Sequence, residues 1–185
     1  MKTQLKRLVF FEKLRVDSVE NLSIFAKIKG VTVGEANYDT LPFNQRMAFI
    51  TLSGRECRMV FKLHFSENIA KPIFAKIAPI TGLLAETTTS HAAKEYCNIM
   101  AGAIRNLGQN YELSLSHTLP IVLLGFNEFI FRESSYNDVY DTWRLLYADG
   151  FMDCSIQVRL PNAELMARLD TDIKEKLEIK RVELL

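Results

Sequence analysis

The segment Glu95-Tyr96-Cys97-Asn98-Ile99-Met100-Ala101-Gly102 brings an acid, an amide and a bare backbone position together at helical spacing. At about 100° per residue, Glu95 and Asn98 project roughly 60° apart, with Gly102 between them and His91 and Arg105 extending the same polar strip. Tyr96, Ile99, Met100, Ala103 and Leu107 recur at the spacing of an apolar stripe on the other side. The pattern predicts an amphipathic helix that lies on a core and turns its acid and amide outward. Glycine inside a helix costs roughly 1 kcal/mol relative to alanine, so Gly102 points to a close approach to the backbone, and a partner could make it.

Around this helix the chain alternates strand and helix signals. Thr87 to Ser90 offer N-cap candidates and Gly108 a C-terminal stop. Upstream, Leu5 to Lys29 reads as helical, with Val16-Asp17 as a candidate break and Gly30 as a stop. Strands are expected near Thr32 to Tyr38, Arg46 to Leu52 and Cys57 to Phe65, the last two joined by the turn Ser53-Gly54-Arg55-Glu56. A second helix opens at Ser66-Glu67-Asn68 and runs through Ile77 until Pro79. Downstream, Glu112 to Phe131 reads as one broken strand or two consecutive strands. A final hairpin pairs Thr142 to Tyr147 with Met152 to Leu160 through Ala148-Asp149-Gly150, where Asp-Gly is a hairpin turn signal. Antiparallel strands interleaved with helices predict an α+β domain whose helices cover the sheet.

Composition narrows the function. The chain has 185 residues, 48% hydrophobic and 24% charged, as suits one globular domain with a real core. A formal net charge of +1 gives no general attraction to nucleic acid or to an acidic membrane. No apolar run approaches the roughly 20 residues that span a bilayer. Leu8-Val9-Phe10-Phe11 is too short for a signal-peptide core and is followed at once by Glu12 and Lys13, so a cytoplasmic location is expected. Cys57, Cys97 and Cys154 lack C-x-x-C spacing and read as reduced, buried thiols. His64, His91 and His117 share no metal-ligand spacing, so no metal site is expected.

Glu95 to Gly102 fits the motif of the CheC/CheX/FliY family of chemotaxis phosphatases: an acid, two variable residues and Asn, then an apolar pair and a small residue with Gly. Leu113-Ser114-Leu115-Ser116-His117-Thr118-Leu119-Pro120-Ile121-Val122 looks like that family's strand segment with its Leu-Pro step. The chain resembles this family, its CheX branch in particular, over Asp17 to Leu160. The resemblance implies a single CheC/CheX-like α+β domain over residues 1–161, its mainly antiparallel sheet covered by long helices. Residues 162–185 would follow as a C-terminal amphipathic helix, with Leu165, Leu169, Ile173 and Leu177 on one side. That helix would pack on its own domain or join two subunits. The family's CheC branch carries two E-x-x-N helices, but here Glu12 is followed three positions later by Arg15, and Glu20 by Ser23, so the single motif is what a CheX-type protein would show.

What the resemblance implies chemically is hydrolysis of the aspartyl phosphate of a CheY-type response regulator. Asn98 would orient the attacking water and Glu95 would pair with the regulator's lysine, these two being the catalytic residues. Glu95, Asn98, Gly102, Arg105 and His91 would meet the partner, although His91 and Arg105 also read as ordinary solvated side chains. No cofactor of the chain's own is implied, because magnesium would sit in the regulator's pocket, and a homodimer is implied. Phosphoryl transfer needs positioning and charge stabilisation more than covalent chemistry, so an amide beside a carboxylate suffices as this chain's share. A non-catalytic chemotaxis or flagellar-switch binding module of the same fold is the main alternative, and a purely architectural sheet-edge dimer is a third.

Overall fold

Strands with apolar residues in alternate positions form one sheet, and the stripes of two long helices close over it. The computed structural model describes residues 8–36, 46–75, 85–124, 138–148, 150–161 and 163–171. In chain order these hold α1 (Val9–Ala26), β1 (Thr32–Glu35), β2 (Arg46–Ser53), β3 (Arg58–Phe65), α2 (Glu67–Ala75) and α3 (Ala85–Gln109). There follow β4 (Ser116–His117), β5 (Ile121–Leu124), β6 (Asp138–Tyr147), β7 (Gly150–Arg159) and α4 (Ala163–Leu169).

The seven-stranded sheet runs β1-β6-β7-β3-β2-β4, with β5 also on β2, and every pairing is antiparallel. The hairpins β2–β3 and β6–β7 meet where Phe61 faces Ile156. Period-two alternation sends Ala48, Ile50 and Leu52, with Met59, Phe61 and Leu63, into one core that also holds Cys154, Ile156 and Val158. Phe10, Leu14 and Leu22 of α1 and Tyr96, Met100 and Ile104 of α3 enter it from the helix layer. The α+β architecture read from the element order is therefore the observed one.

The expected break in β4 and β5 is present, because the chain leaves the edge of β2 between Thr118 and Pro120 before pairing again. α1 is continuous through Val16-Asp17 and ends before Gly30, with Lys27 taking the left-handed cap conformation at φ 51°. α3 departs from expectation at both ends. It already runs from Ala85, and Thr89 is buried inside it, so the N-cap expected at Thr87 to Ser90 does not form there. Gly108 lies within the helix, and the left-handed residue is Glu112 at φ 61°. Gly108 answers to packing: a β-carbon there would stand 3.1 Å from Leu115 Cδ1. At the C-terminus, Leu165 and Leu169 are buried in the domain core, and Arg168 pairs with Glu56 and donates to the Tyr111 carbonyl. The first turns of the C-terminal helix thus pack on their own domain; Ile173 and Leu177 lie outside the described residues, as does Asp149 of the hairpin turn.

Arg15 is the charged residue that the apolar stripe of α1 carries into the core, at 4% exposure. Its guanidinium donates to both Asp141 oxygens at 2.7 and 2.8 Å and to the Thr142 carbonyl at 2.6 Å, and lies 5.8 Å from the centroid of Trp143. Burial works against its charge, but the bonds and attraction to Asp141 and Glu35 win and raise its pKa above the usual arginine value. Glu35 has a side chain 72% exposed, so its pairing is weak beside that of the buried Asp141. Arg15→Ala would strip the buried Asp141 of its two guanidinium hydrogen bonds, and urea unfolding should show about 3–5 kcal/mol of lost stability. Replacing Arg15 and Asp141 together with apolar residues of similar volume should recover most of that loss.

Candidate functional site

The rotation of α3 about its axis is set by Tyr96, the residue next to Glu95. Its ring is fully buried between Phe25, with centroids 6.3 Å apart, and Phe61, at 6.5 Å. Its hydroxyl donates to the Ser18 carbonyl of α1 at 2.9 Å, which satisfies a group that would otherwise be costly to bury. Burial raises the Tyr96 pKa well above its ordinary value, so the hydroxyl remains a donor. Ser18 is a junction: its Oγ accepts from the Trp143 indole at 2.8 Å and donates to the Arg15 carbonyl at 2.7 Å. With Tyr96 held inward, helical geometry turns Glu95 and Asn98 outward.

On that outer face Glu95 is exposed and Asn98 half-buried. Asn98 Nδ2 donates to Glu95 Oε2 at 3.2 Å, joining acid and amide directly. His91 and Arg105 are exposed on the same strip, and among the described residues neither makes a hydrogen bond or ion pair. Gly102 is half-buried, and nothing lies within 4 Å of where its β-carbon would be. Among the described residues no contact therefore demands glycine there. The strip predicted from helical spacing is thus assembled on one ordered face, with a bare backbone patch at its centre.

The remaining candidates lie elsewhere. Cys97 and Cys154 are in the core, where burial pushes both thiols far up, and Cys57 is raised to about 11 by burial and by Glu56. His64 is buried on β3 with Ser155 Oγ 3.5 Å from its Nε2, and His117 is exposed on β4. Among the described residues no group of His, Cys, Asp and Glu could hold a metal ion. An open cleft at the β2–β3 turn, lined by Arg55, Arg58, Arg159 and Leu160 among others, contains none of the strip residues.

The sheet order reads the same when β1 is exchanged with β4, β2 with β6 and β3 with β7. The same exchange gives α1 the place of α3 in chain order. On α1, Glu12 is exposed, Arg15 reaches inward to Asp141 and Val19 packs on the core, so α1 does not repeat the outward acid–amide pair. Sequence reading missed Arg15, Ser18 and Trp143 as supports. The available signal was Phe11, Arg15, Ser18 and Leu22 sharing one helical stripe, with Asp141 in phase with Trp143 and Leu145 on β6.

No protein-family model matches the sequence, and no curated protein matches it significantly. Solved structures do match. The structure of the CheX–CheY–BeF3–Mg2+ complex from Borrelia burgdorferi aligns with a TM-score of 0.64 at 14% identity, over 83% of this chain and 99% of that one. A chemotaxis protein from Desulfovibrio vulgaris Hildenborough aligns with a TM-score of 0.65 at 14% identity, over 84% and 100%. The FliM middle domain from Helicobacter pylori aligns with a TM-score of 0.55 at 9% identity, over 86% and 93%. The chain has the fold that these CheX, chemotaxis and FliM proteins share.

Because no described residue packs where a methyl group at Gly102 would stand, Gly102→Ala should stabilise the isolated protein by about 0.5–1 kcal/mol, seen as a higher melting temperature. A lower melting temperature would place the reason for this glycine inside the fold. Raised thiol pKa values leave little thiolate at pH 8, so a thiol-specific disulfide reagent should react slowly with the native protein and rapidly once it is unfolded.

Proposed function

We propose that this chain is a CheX-like member of the CheC/CheX/FliY family, a phosphatase that hydrolyses the aspartyl phosphate of a CheY-type response regulator. The observation that carries the reading is the outward Glu95–Asn98 pair beside bare backbone at Gly102, on an ordered helix of a CheX-type fold. The strip belongs to an outward helix face, a surface suited to meeting another protein, and it carries no nucleophile or metal-ligand set of its own.

The helix brings Asn98 to the regulator's phosphoryl group. There the amide orients a water in line with the phosphorus, being too weak a base to remove its proton outright. Glu95 pairs with the lysine near the phosphate and sets the helix in register. Gly102 allows close backbone approach, and His91 and Arg105 meet the regulator's surface at the ends of the strip. Magnesium belongs to the regulator's acidic pocket. The gain comes from positioning a water and from placing fixed dipoles and charges where the transition state needs them. On this reading the protein works in the cytoplasm as a homodimer.

The fold is also that of the FliM middle domain, which supports a second reading: a chemotaxis or flagellar-switch module that uses the same helix to bind a regulator without hydrolysis. The decay of a phosphorylated CheY-like regulator from the same organism, with and without this protein, separates the two. The phosphatase accelerates decay, and Asn98→Ala lowers turnover about 100-fold or more while regulator binding persists. Binding without acceleration would identify the module, and unchanged turnover by Asn98→Ala would remove Asn98 from its role.

A further inference from the structure

We infer that Glu95 is also a positioning residue for Asn98, selecting which end of the amide faces the reacting water. The inference takes its functional consequence from the phosphatase reading and its physical basis from the 3.2 Å hydrogen bond between the two side chains.

An attacking water turns a lone pair to phosphorus and so must direct its protons to acceptors. Of the two ends of an amide only Oδ1 accepts; the Nδ2 end donates. The terminal torsion of asparagine is broad and roughly two-fold, so an unrestrained side chain presents either end. An ionised carboxylate is acceptor-only and therefore engages Nδ2 and repels Oδ1. With Nδ2 tied to Glu95 Oε2, Asn98 leaves Oδ1 free for water. The i,i+3 spacing makes the contact within one helix turn, on a helix whose rotation Tyr96 already sets.

The two roles of Glu95 do not compete. A carboxylate has about four lone-pair sites on two oxygens, so Oε2 can hold the amide while Oε1 receives an ammonium group. The lysine needs the charge, whereas the amide needs an acceptor that cannot also donate. Glutamine loses the charge and, donating as well as accepting, no longer selects the amide's end; alanine neither holds nor selects it.

The test compares the full-length wild type with Glu95→Gln and Glu95→Ala by two measurements. In nitrogen-15 NMR, the Asn98 side-chain amide protons should exchange slowly with water in wild type and at free-amide rates in Glu95→Ala. In regulator dephosphorylation, both variants should raise KM through the lost charge and lower kcat through the lost selection, Glu95→Ala by about fivefold, the scale of freeing a short polar side chain. A wild-type kcat in Glu95→Ala, or an Asn98 amide signal indifferent to that change, would overturn the positioning role. No acceleration by the wild type would overturn the phosphatase reading alone, because the amide signals still decide whether Glu95 holds Asn98.

Discussion

The hydrogen bond from the Tyr96 hydroxyl to the Ser18 carbonyl is the constraint on which the outer surface depends. It joins the two long helices at the level of the acid–amide pair and determines which side of α3 is inside. Tyr96 could not be buried there without a partner for its hydroxyl, since an unsatisfied buried polar group costs about 1–3 kcal/mol. Aromatic contacts to Phe25 and Phe61 hold the ring in place, so the hydroxyl finds that partner in one helix register. Ser18 transmits the constraint to the sheet through Trp143 and to the buried Arg15–Asp141 pair through its own helix.

The sheet's internal exchange symmetry gives the two helices equivalent places, and the sequence then treats them differently. On α3 the outward face carries Glu95, Asn98 and Gly102. On α1, Arg15 reaches inward to a buried carboxylate and Val19 packs on the core. One helix presents an acid–amide pair to solvent, while the other commits a charged residue to holding the layers together. A buried ion pair adds little net stability over an apolar pair of similar volume, but breaking one partner alone is costly. It therefore pins α1 against β6 more than it deepens the core.

Several parts of this arrangement were legible beforehand because they are local. The polar strip follows from helical periodicity over Glu95 to Arg105, the hairpins from alternation and turn residues, and the broken edge strand from Leu119-Pro120. The ends of α3 were misread. Cap preferences compete with packing, and here the chain continues through threonines that could cap a helix and through a glycine where a β-carbon would crowd Leu115. The inward role of Arg15 was not legible because its partner, Asp141, stands 126 positions away.

The sequence by itself determined which side chains share a face, since the periods of helix and strand are properties of the local backbone. It also supplied the motif that led to the fold, Glu95 through Gly102. Only the tertiary structure decided that Asn98 donates to Glu95, that no described residue packs where a β-carbon of Gly102 would stand, and that Arg15 of α1 turns inward to Asp141. Those facts depend on side-chain torsions and on pairings between distant segments, which form when helices and sheet close around a common core. Local pattern encodes the faces; the closure of the core determines what each face meets.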